Sequence, residues 1–197
     1  MTDHKIIAIA GGSCSGKTTM ATSLAQILGP DNCAVLYQDS YYRGAADITN
    51  FDVPEAIDFS LMAEHLAQLR AGEAIDMPTY DFTTHRRKAE TIRLTPRPII
   101  FVDGILILHA TELRNSFDYK VFVECEEELR KNRRLVRDTL ERGRTKEDII
   151  RQFETQVAPL HNLYVEPSKA FADIICKQEN WDGFSTDFLS HCQKLCS

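Results

Sequence analysis

Short apolar runs alternate with longer amphipathic stretches along this chain. Lys5–Ala10 (KIIAIA) is almost wholly apolar and β-branched, which predicts a buried strand. A Gly/Ser-rich turn follows. Thr18–Leu28 then places Met20, Leu24, Ile27 and Leu28 on one side of a helix that Gly29-Pro30 ends. Cys33–Tyr37 is a second short strand. Phe59–Ala71 carries Leu61, His65, Leu66 and Leu69 at helical spacing, with Gly72 as its stop. Ile75–Tyr80 and Glu90–Leu94 read as two strands of a hairpin around Thr83–Lys88. Ile99–Val102 is a strongly apolar strand ending in Asp103-Gly104, and Tyr119–Val123 is another. Glu126–Glu141 reads as a long helix punctuated by Gly143. Thr145–Leu163 reads as a helix with a break or kink near Pro159. Ala172–Cys176 is a last strand and Phe184–Leu195 a last helix.

Strands alternating with helices predict an α/β domain with a mainly parallel sheet, spanning residues 1–197 as one unit. Ligands bind such sheets outside the carboxyl ends of the strands. Three features fall there: the Gly-rich turn after the first strand, Asp39 after the second, and Asp103 after Ile99–Val102. Their positions point to one shared site.

Composition narrows the picture. The chain has 197 residues, 43% hydrophobic and 26% charged, an ordinary globular balance that supports a core without disulfide staples. No apolar run approaches the roughly 20 residues of a membrane span. Six cysteines occur without a C-x-x-C pair and with no secretory signal ahead of the first strand, so reduced thiols and a cytoplasmic setting are expected. The net charge of −6 argues against nucleic acid as a partner. Yet eight basic residues fall between Arg130 and Lys146, opposed by Asp138 and Glu141. A local cationic cluster on an acidic chain suits a small anionic ligand.

The turn itself reads Gly11-Gly12-Ser13-Cys14-Ser15-Gly16-Lys17-Thr18, followed by Thr19, and fits G-x-x-x-x-G-K-[ST] at every fixed position. Glycines let backbone N–H groups curl around phosphate oxygens, and the helix N-terminus adds positive potential. Lys17 reaches the outer phosphates in such a loop, and the Thr18 hydroxyl is a Mg²⁺ ligand. Asp39 and Asp103 are candidate carboxylates for the same ion, with Asp39 also a candidate base for an acceptor hydroxyl. Phosphoryl transfer needs little beyond positioning, a metal and an oriented nucleophile. Among the basic residues, Arg134, Arg137, Arg142 and Arg144 are expected at phosphate and substrate, with Gly143 as a hinge for a closing lid. Arg130, Lys131 and Arg133 are expected on a solvated face paired with Glu126–Glu128. The hairpin segment Tyr80–Arg87 offers an aromatic ring, His85 and an arginine to a planar, hydrogen-bonding ligand. The other histidines, His161 among them, show no metal spacing and receive no role.

Together the motifs GGSCSGKTT (Gly11–Thr19), QDSYY (Gln38–Tyr42), NFDVPEAIDF (Asn50–Phe59), PTYDFTTHRR (Pro78–Arg87), VDGIL (Val102–Leu106), RRLVRDTLERGR (Arg133–Arg144) and VEPSKAFADII (Val165–Ile175) resemble the uridine/cytidine kinases of the phosphoribulokinase/uridine kinase group. The resemblance covers most of residues 5–176. It implies transfer of the ATP or GTP γ-phosphate to the 5′-hydroxyl of a pyrimidine nucleoside, with Mg²⁺. By position it implies that Asp39 orients or deprotonates the hydroxyl and that Tyr42 lines the base pocket. Phe51 and Phe82 supply apolar walls. Asp52 and Arg134, assisted by Gln152, bind the ribose hydroxyls, while Tyr80 and His85 read the base and Arg87 borders it. Arg137, Arg142 and Arg144 hold the triphosphate. It also points to a homo-oligomer.

The chain departs from that pattern in places. Asp103 stands where the family usually has Glu, so the metal contact implied there runs through water. Val53 replaces a histidine in the family's FDHP stretch. The segment between Tyr42 and Asn50 is short, and Cys176–Asn180 replaces the usual I-P-x-G-G-x-N ending. Other readings are a related kinase for nicotinamide riboside, pantothenate or ribulose 5-phosphate, and a non-catalytic nucleotide-binding regulator. Asp52 with Tyr80–His85 argues against the first. The retention of Lys17 and Asp39, and the lack of an N-K-x-D guanine motif, argue against the second.

Overall fold

The computed structural model describes residues 4–44, 50–82, 84–177 and 180–195. The short segment before Asn50 falls partly outside these residues, as do Cys196, part of the variant ending and the Trp181 side chain.

Among the described residues seven strands form, in the order β1 (Lys5–Gly11), β2 (Cys33–Tyr37), β3 (Ile75–Asp81), β4 (Arg86–Leu94), β5 (Ile99–Gly104), β6 (Tyr119–Glu124) and β7 (Ile174–Lys177). Five of them build a parallel sheet in the order β2-β5-β1-β6-β7, and β3 and β4 pair separately as an antiparallel hairpin. The unbroken apolar character of β1 has a direct cause. Ile6, Ala8 and Ala10 pack into one core with Ile100, Val102 and Phe122. Ile7 and Ile9 pack into a second core with Ile99, Phe101, Val121 and Val123. A parallel sheet covered on both faces leaves neither set of alternating side chains to water. Each isoleucine, valine or phenylalanine among them contributes about 1.5–3 kcal/mol by burial.

Helix α1 (Lys17–Leu28) covers the second core through Met20, Ala21, Leu24 and Leu28. Helix α2 (Phe59–Arg70) covers the first through Phe59, Met62, Leu66 and Leu69, and the short α3 (Thr111–Arg114) adds Leu113. Asp58 caps α2 by accepting from the Leu61 N–H at 3.4 Å. Helix α4 (Glu127–Arg142) ends at Gly143, whose φ of 61° is the left-handed conformation that glycine adopts without Cβ strain.

Helix α5 (Lys146–Gln152) does not break at Pro159. It continues through π-helical Phe153–Val157, α6 (Ala158–Leu160), π-helical His161–Val165 and α7 (Glu166–Ser168). Proline removes an N–H from the ladder and crowds the preceding turn. The wider turns on either side of Pro159 absorb that conflict, with Ala158 N–H bonding Phe153 O and Glu166 N–H bonding His161 O. Helix α8 (Trp181–Leu195) starts three residues before its expected position and closes the second core with Phe188 and Cys192. Strand β4 starts at Arg86 rather than Glu90. It is mostly exposed, so no apolar alternation marks its first half. Cys14, Cys125 and Cys176 are free thiols. Among the described residues no helix is long and apolar enough to cross a membrane.

Strand register assembles the site. Tyr37 pairs with Asp103, and Asp103 pairs with Ile9. The ends of β2, β5 and β1 therefore lie side by side, with Asp103 inside the end of β5 and the other two features expected to share a ligand following β2 and β1.

Candidate active site

The loop from Gly11 to Gly16 turns the chain from β1 into α1. Gly16 has φ 102° and Cys14 φ 61°. Gly16 provides no side-chain cap, and the first turn of α1 holds no acidic residue. The N–H groups at the start of α1 therefore keep their capacity to bind an anion. An open cleft of about 610 Å³ lies over them, lined by Cys14, Gly16, Lys17, Thr18, Thr19, Asp39, Arg133 and Arg137. Three catalytic candidates, Lys17, Asp39 and Arg137, thus meet in one space.

Thr18 Oγ1 donates to Asp103 Oδ2 at 2.6 Å, and Lys17 Nζ stands 3.9 Å from Asp103 Oδ1. Asp103 is buried, and its Oδ1 has no hydrogen-bond partner. Burial raises its pKa above the usual carboxylate value, Lys17 and Thr18 pull it down, and Asp39 pushes it up. A buried carboxylate oxygen with spare capacity, a threonine hydroxyl and a second carboxylate are hard donors of the kind Mg²⁺ takes. Among the described residues no group of three or more His, Cys, Asp or Glu side chains forms a metal cage. An ion here would complete its shell with phosphate and water.

Asp39 sits on the 3₁₀ turn Gln38–Tyr41. Gln38 holds that turn in place: it is fully buried and accepts the Leu106 N–H at 2.8 Å. Gly104 makes room for it, since a Cβ there would lie 2.5 Å from Gln38 Oε1. Nothing in the apolar pattern marks Gln38 for this work.

On the far side of Asp39 lies an aromatic pocket. Tyr42 meets Phe51 edge-on at 5.6 Å and Tyr80 at 5.1 Å. Phe51 stacks on His85 at 4.8 Å with 15° between the rings, and Phe82 packs against Tyr80 at 5.2 Å. The Tyr80 hydroxyl is buried without a partner. Asp52 is half-buried. Its pKa is raised by burial, lowered by Arg134, raised by Asp39, and lowered again by Lys17 and Arg137. Burial also raises Tyr42, with Asp39, Asp52 and Tyr80 adding to it and Arg134 opposing. Arg87 is occupied behind this wall. It donates to the carbonyls of Tyr42 at 3.2 Å and Tyr41 at 3.0 Å and pairs with Asp58 at 3.4 Å.

The arginines divide by depth. Arg134 donates to Ser13 Oγ at 2.9 Å and to Gln152 Oε1 at 3.1 Å, and Arg144 also bonds Gln152 Oε1. Gln152 therefore joins Arg144, beyond the end of α4, to Arg134 and through it to Ser13 of the loop. Arg142 stands 5.1 Å above the Phe82 ring and so touches the aromatic pocket. The solvated-face expectation fails for Arg130 and Arg133. Arg130 is 2% exposed beneath the loop, with Glu127 4.0 Å away, and burial lowers its pKa. Arg133 lines the cleft and donates toward the Cys14 and Ser15 carbonyls. Lys131 stays outside but pairs with Glu154 at 2.7 Å. The i, i+3, i+4, i+7 spacing puts these residues on one broad face without saying which part is covered. His161 is a further surprise. It lies under Gly12, where a Cβ would meet both Arg130 Nη1 and His161 Nδ1 at 2.9 Å. Burial and the neighbouring Arg130 push its pKa down to about 4, against the opposing pull of Glu166.

Comparison with known proteins bears on this arrangement. The profile of the phosphoribulokinase/uridine kinase family matches residues 6–181. A uridine kinase of Staphylococcus haemolyticus is 42% identical over 197 residues, covering 96% of this chain and 95% of that protein. A uridine kinase of Deinococcus deserti is 42% identical over 200 residues, covering 96% and 97%. Among solved structures, one described as a possible uridine kinase from Bacillus stearothermophilus superposes with a TM-score of 0.65 at 21% identity, covering 89% of each chain, and supports the fold.

Proposed function

The chain belongs to the phosphoribulokinase/uridine kinase family of P-loop kinases, and from that premise we propose that it transfers the γ-phosphate of ATP or GTP to the 5′-hydroxyl of uridine or cytidine. One observation carries this reading. The Asp39 carboxylate lines the phosphate cleft beside Lys17 and Arg137, and it also acts on Asp52, Tyr42 and Tyr80 of the aromatic pocket. A base at that junction meets a donor on one side and a planar acceptor on the other.

The loop from Gly11 to Thr19 holds the triphosphate through backbone N–H groups and Lys17. Thr18, Asp103 and Asp39 would hold Mg²⁺, which when bound would supply positive charge to neutralise that developing on the transferring group. Arg137, with Arg142 and Arg144, stabilises that charge from the lid side. Asp52 accepts ribose hydroxyls beside Arg134, with Gln152 in support. Tyr42, Phe51 and Phe82 enclose the base. The Tyr80 hydroxyl and His85 hydrogen-bond its edge, and Arg87 holds the wall they stand on. A half-buried carboxylate and a buried, unpartnered hydroxyl reject an acceptor that fails to pair with them.

Steady-state ADP formation tests this. With MgATP, uridine or cytidine should stimulate it strongly. No stimulation by either nucleoside, or stronger stimulation by nicotinamide riboside, pantothenate or ribulose 5-phosphate, would overturn the acceptor assignment.

A further inference from the structure

Asp138 is the acidic residue that composition leaves as mere counter-charge to the basic helix. Its side chain is fully buried in the middle of four guanidinium groups. Arg137 Nε donates to Oδ1 at 2.9 Å, and its Nη2 lies 2.8 Å from the same oxygen. Arg142 Nε is 3.6 Å from Oδ1. Arg134 Nε and Arg144 Nη1 are 3.4 Å and 3.9 Å from Oδ2. The backbone carbonyl of Asp138 also accepts from the N–H groups of Gly143 and Arg144, the latter at 3.2 Å. One residue thus sets both the turn that ends α4 and the direction of the side chains around it.

One carboxylate cannot neutralise four cations. Left alone, guanidinium groups this close repel one another and turn toward water. With Asp138 between them they converge, and Arg137 reaches the cleft over the phosphate loop. The surplus positive charge is what a polyphosphate would meet.

We infer that Asp138 is a positioning residue for phosphoryl transfer: it aligns Arg137, Arg142 and Arg144 for the donor's phosphates before those phosphates arrive. This rests on the donor-site reading above and is independent of which acceptor is used. Preorganised charge of this kind acts in the transition state and costs no rearrangement at the moment of reaction.

The role has a signature in Asp138→Asn, which keeps the shape and removes the charge. Removing an anion beside the cleft favours a bound polyanion, whereas the unaligned arginines serve the transition state poorly. Binding of tripolyphosphate by calorimetry should therefore be unchanged or tighter, while kcat falls roughly 10²-fold. Tripolyphosphate should also raise the melting temperature of the variant more than that of the parent, because it replaces the missing counter-charge. If the variant is unfolded alone, tripolyphosphate should restore it. A kcat within about threefold of the parent overturns the inference, as does a tenfold loss of tripolyphosphate affinity, or no excess stabilisation by it. Failure of the unsubstituted chain to bind tripolyphosphate would instead remove the donor-site reading itself.

Discussion

Thr18 Oγ1 donates a 2.6 Å hydrogen bond to Asp103 Oδ2, joining the first turn of α1 to the end of β5. The bond ties the helix that follows β1 to β5, the strand that the sheet register places beside β1. It commits one oxygen of Asp103 and leaves the other, 3.9 Å from Lys17, without a hydrogen-bond partner.

Burial of that carboxylate costs stability at neutral pH. Its folded-state pKa lies above the unfolded value, chiefly through burial. Such a group favours the fold below the unfolded pKa and loses that contribution as pH rises through the folded pKa. Asp103→Asn should therefore melt at or above the parent's temperature at pH 7, with the difference shrinking toward pH 4. Its kcat should drop sharply. Calorimetry at the two pH values with a turnover assay checks both halves.

His161 gives the opposite dependence. Its folded pKa of about 4 lies below the ordinary histidine value of 6.5. Above pH 6.5 neither state is protonated there and the contribution is constant. As pH falls from 6.5 toward 4 the unfolded chain takes up the proton first, and stability drops by on the order of 3 kcal/mol. Denaturant melts across that window should show this slope, and His161→Phe should flatten it.

Gly12 has no room for a larger residue. A Cβ would press on Arg130 Nη1 and the His161 ring at 2.9 Å; Arg130 is buried and the His161 side chain is only 10% exposed. Gly12→Ala should cost about 1–3 kcal/mol by overpacking. It should also weaken ATP binding, because the strain falls on the loop. An alanine variant with the parent's stability and ATP affinity would contradict the packing described.

Arg87 braces the aromatic pocket and does not line the cleft over Lys17. Losing its bonds to Tyr41, Tyr42 and Asp58 should loosen the aromatic pocket. Arg87→Met should raise KM for the nucleoside at least about tenfold while KM for ATP stays near the parent's. Equal effects on both constants would count against this division of the site.

Much of this arrangement is legible in the chain itself. Ile99–Val102 and Lys5–Ala10 announce buried parallel strands because both of their faces are apolar, and the Gly11–Thr18 loop announces its ligand through spacing alone. The exposed first half of β4 carries no such pattern, so Arg86–Lys88 is hidden to periodicity. Pro159 signals a conflict but not its resolution by π turns. Arg130, Arg133 and His161 are missed for one physical reason. Whether a charged side chain is solvated or buried depends on what packs above it, and the loop that covers Arg130 and His161 comes from more than a hundred residues earlier in the chain. Gln38 and Asp138 escape likewise, since their partners are set by the tertiary fold.

The central claim is that one cleft delivers a donor phosphoryl group to a nucleoside 5′-hydroxyl. Phosphorus NMR of a reaction holding the protein, MgATP and uridine tests it most directly. The expected result is a new phosphomonoester signal split into a triplet by the two 5′ protons, growing as ATP is consumed and absent without uridine. Inorganic phosphate as the sole product, or a doublet from a phosphate on a secondary hydroxyl, would contradict it.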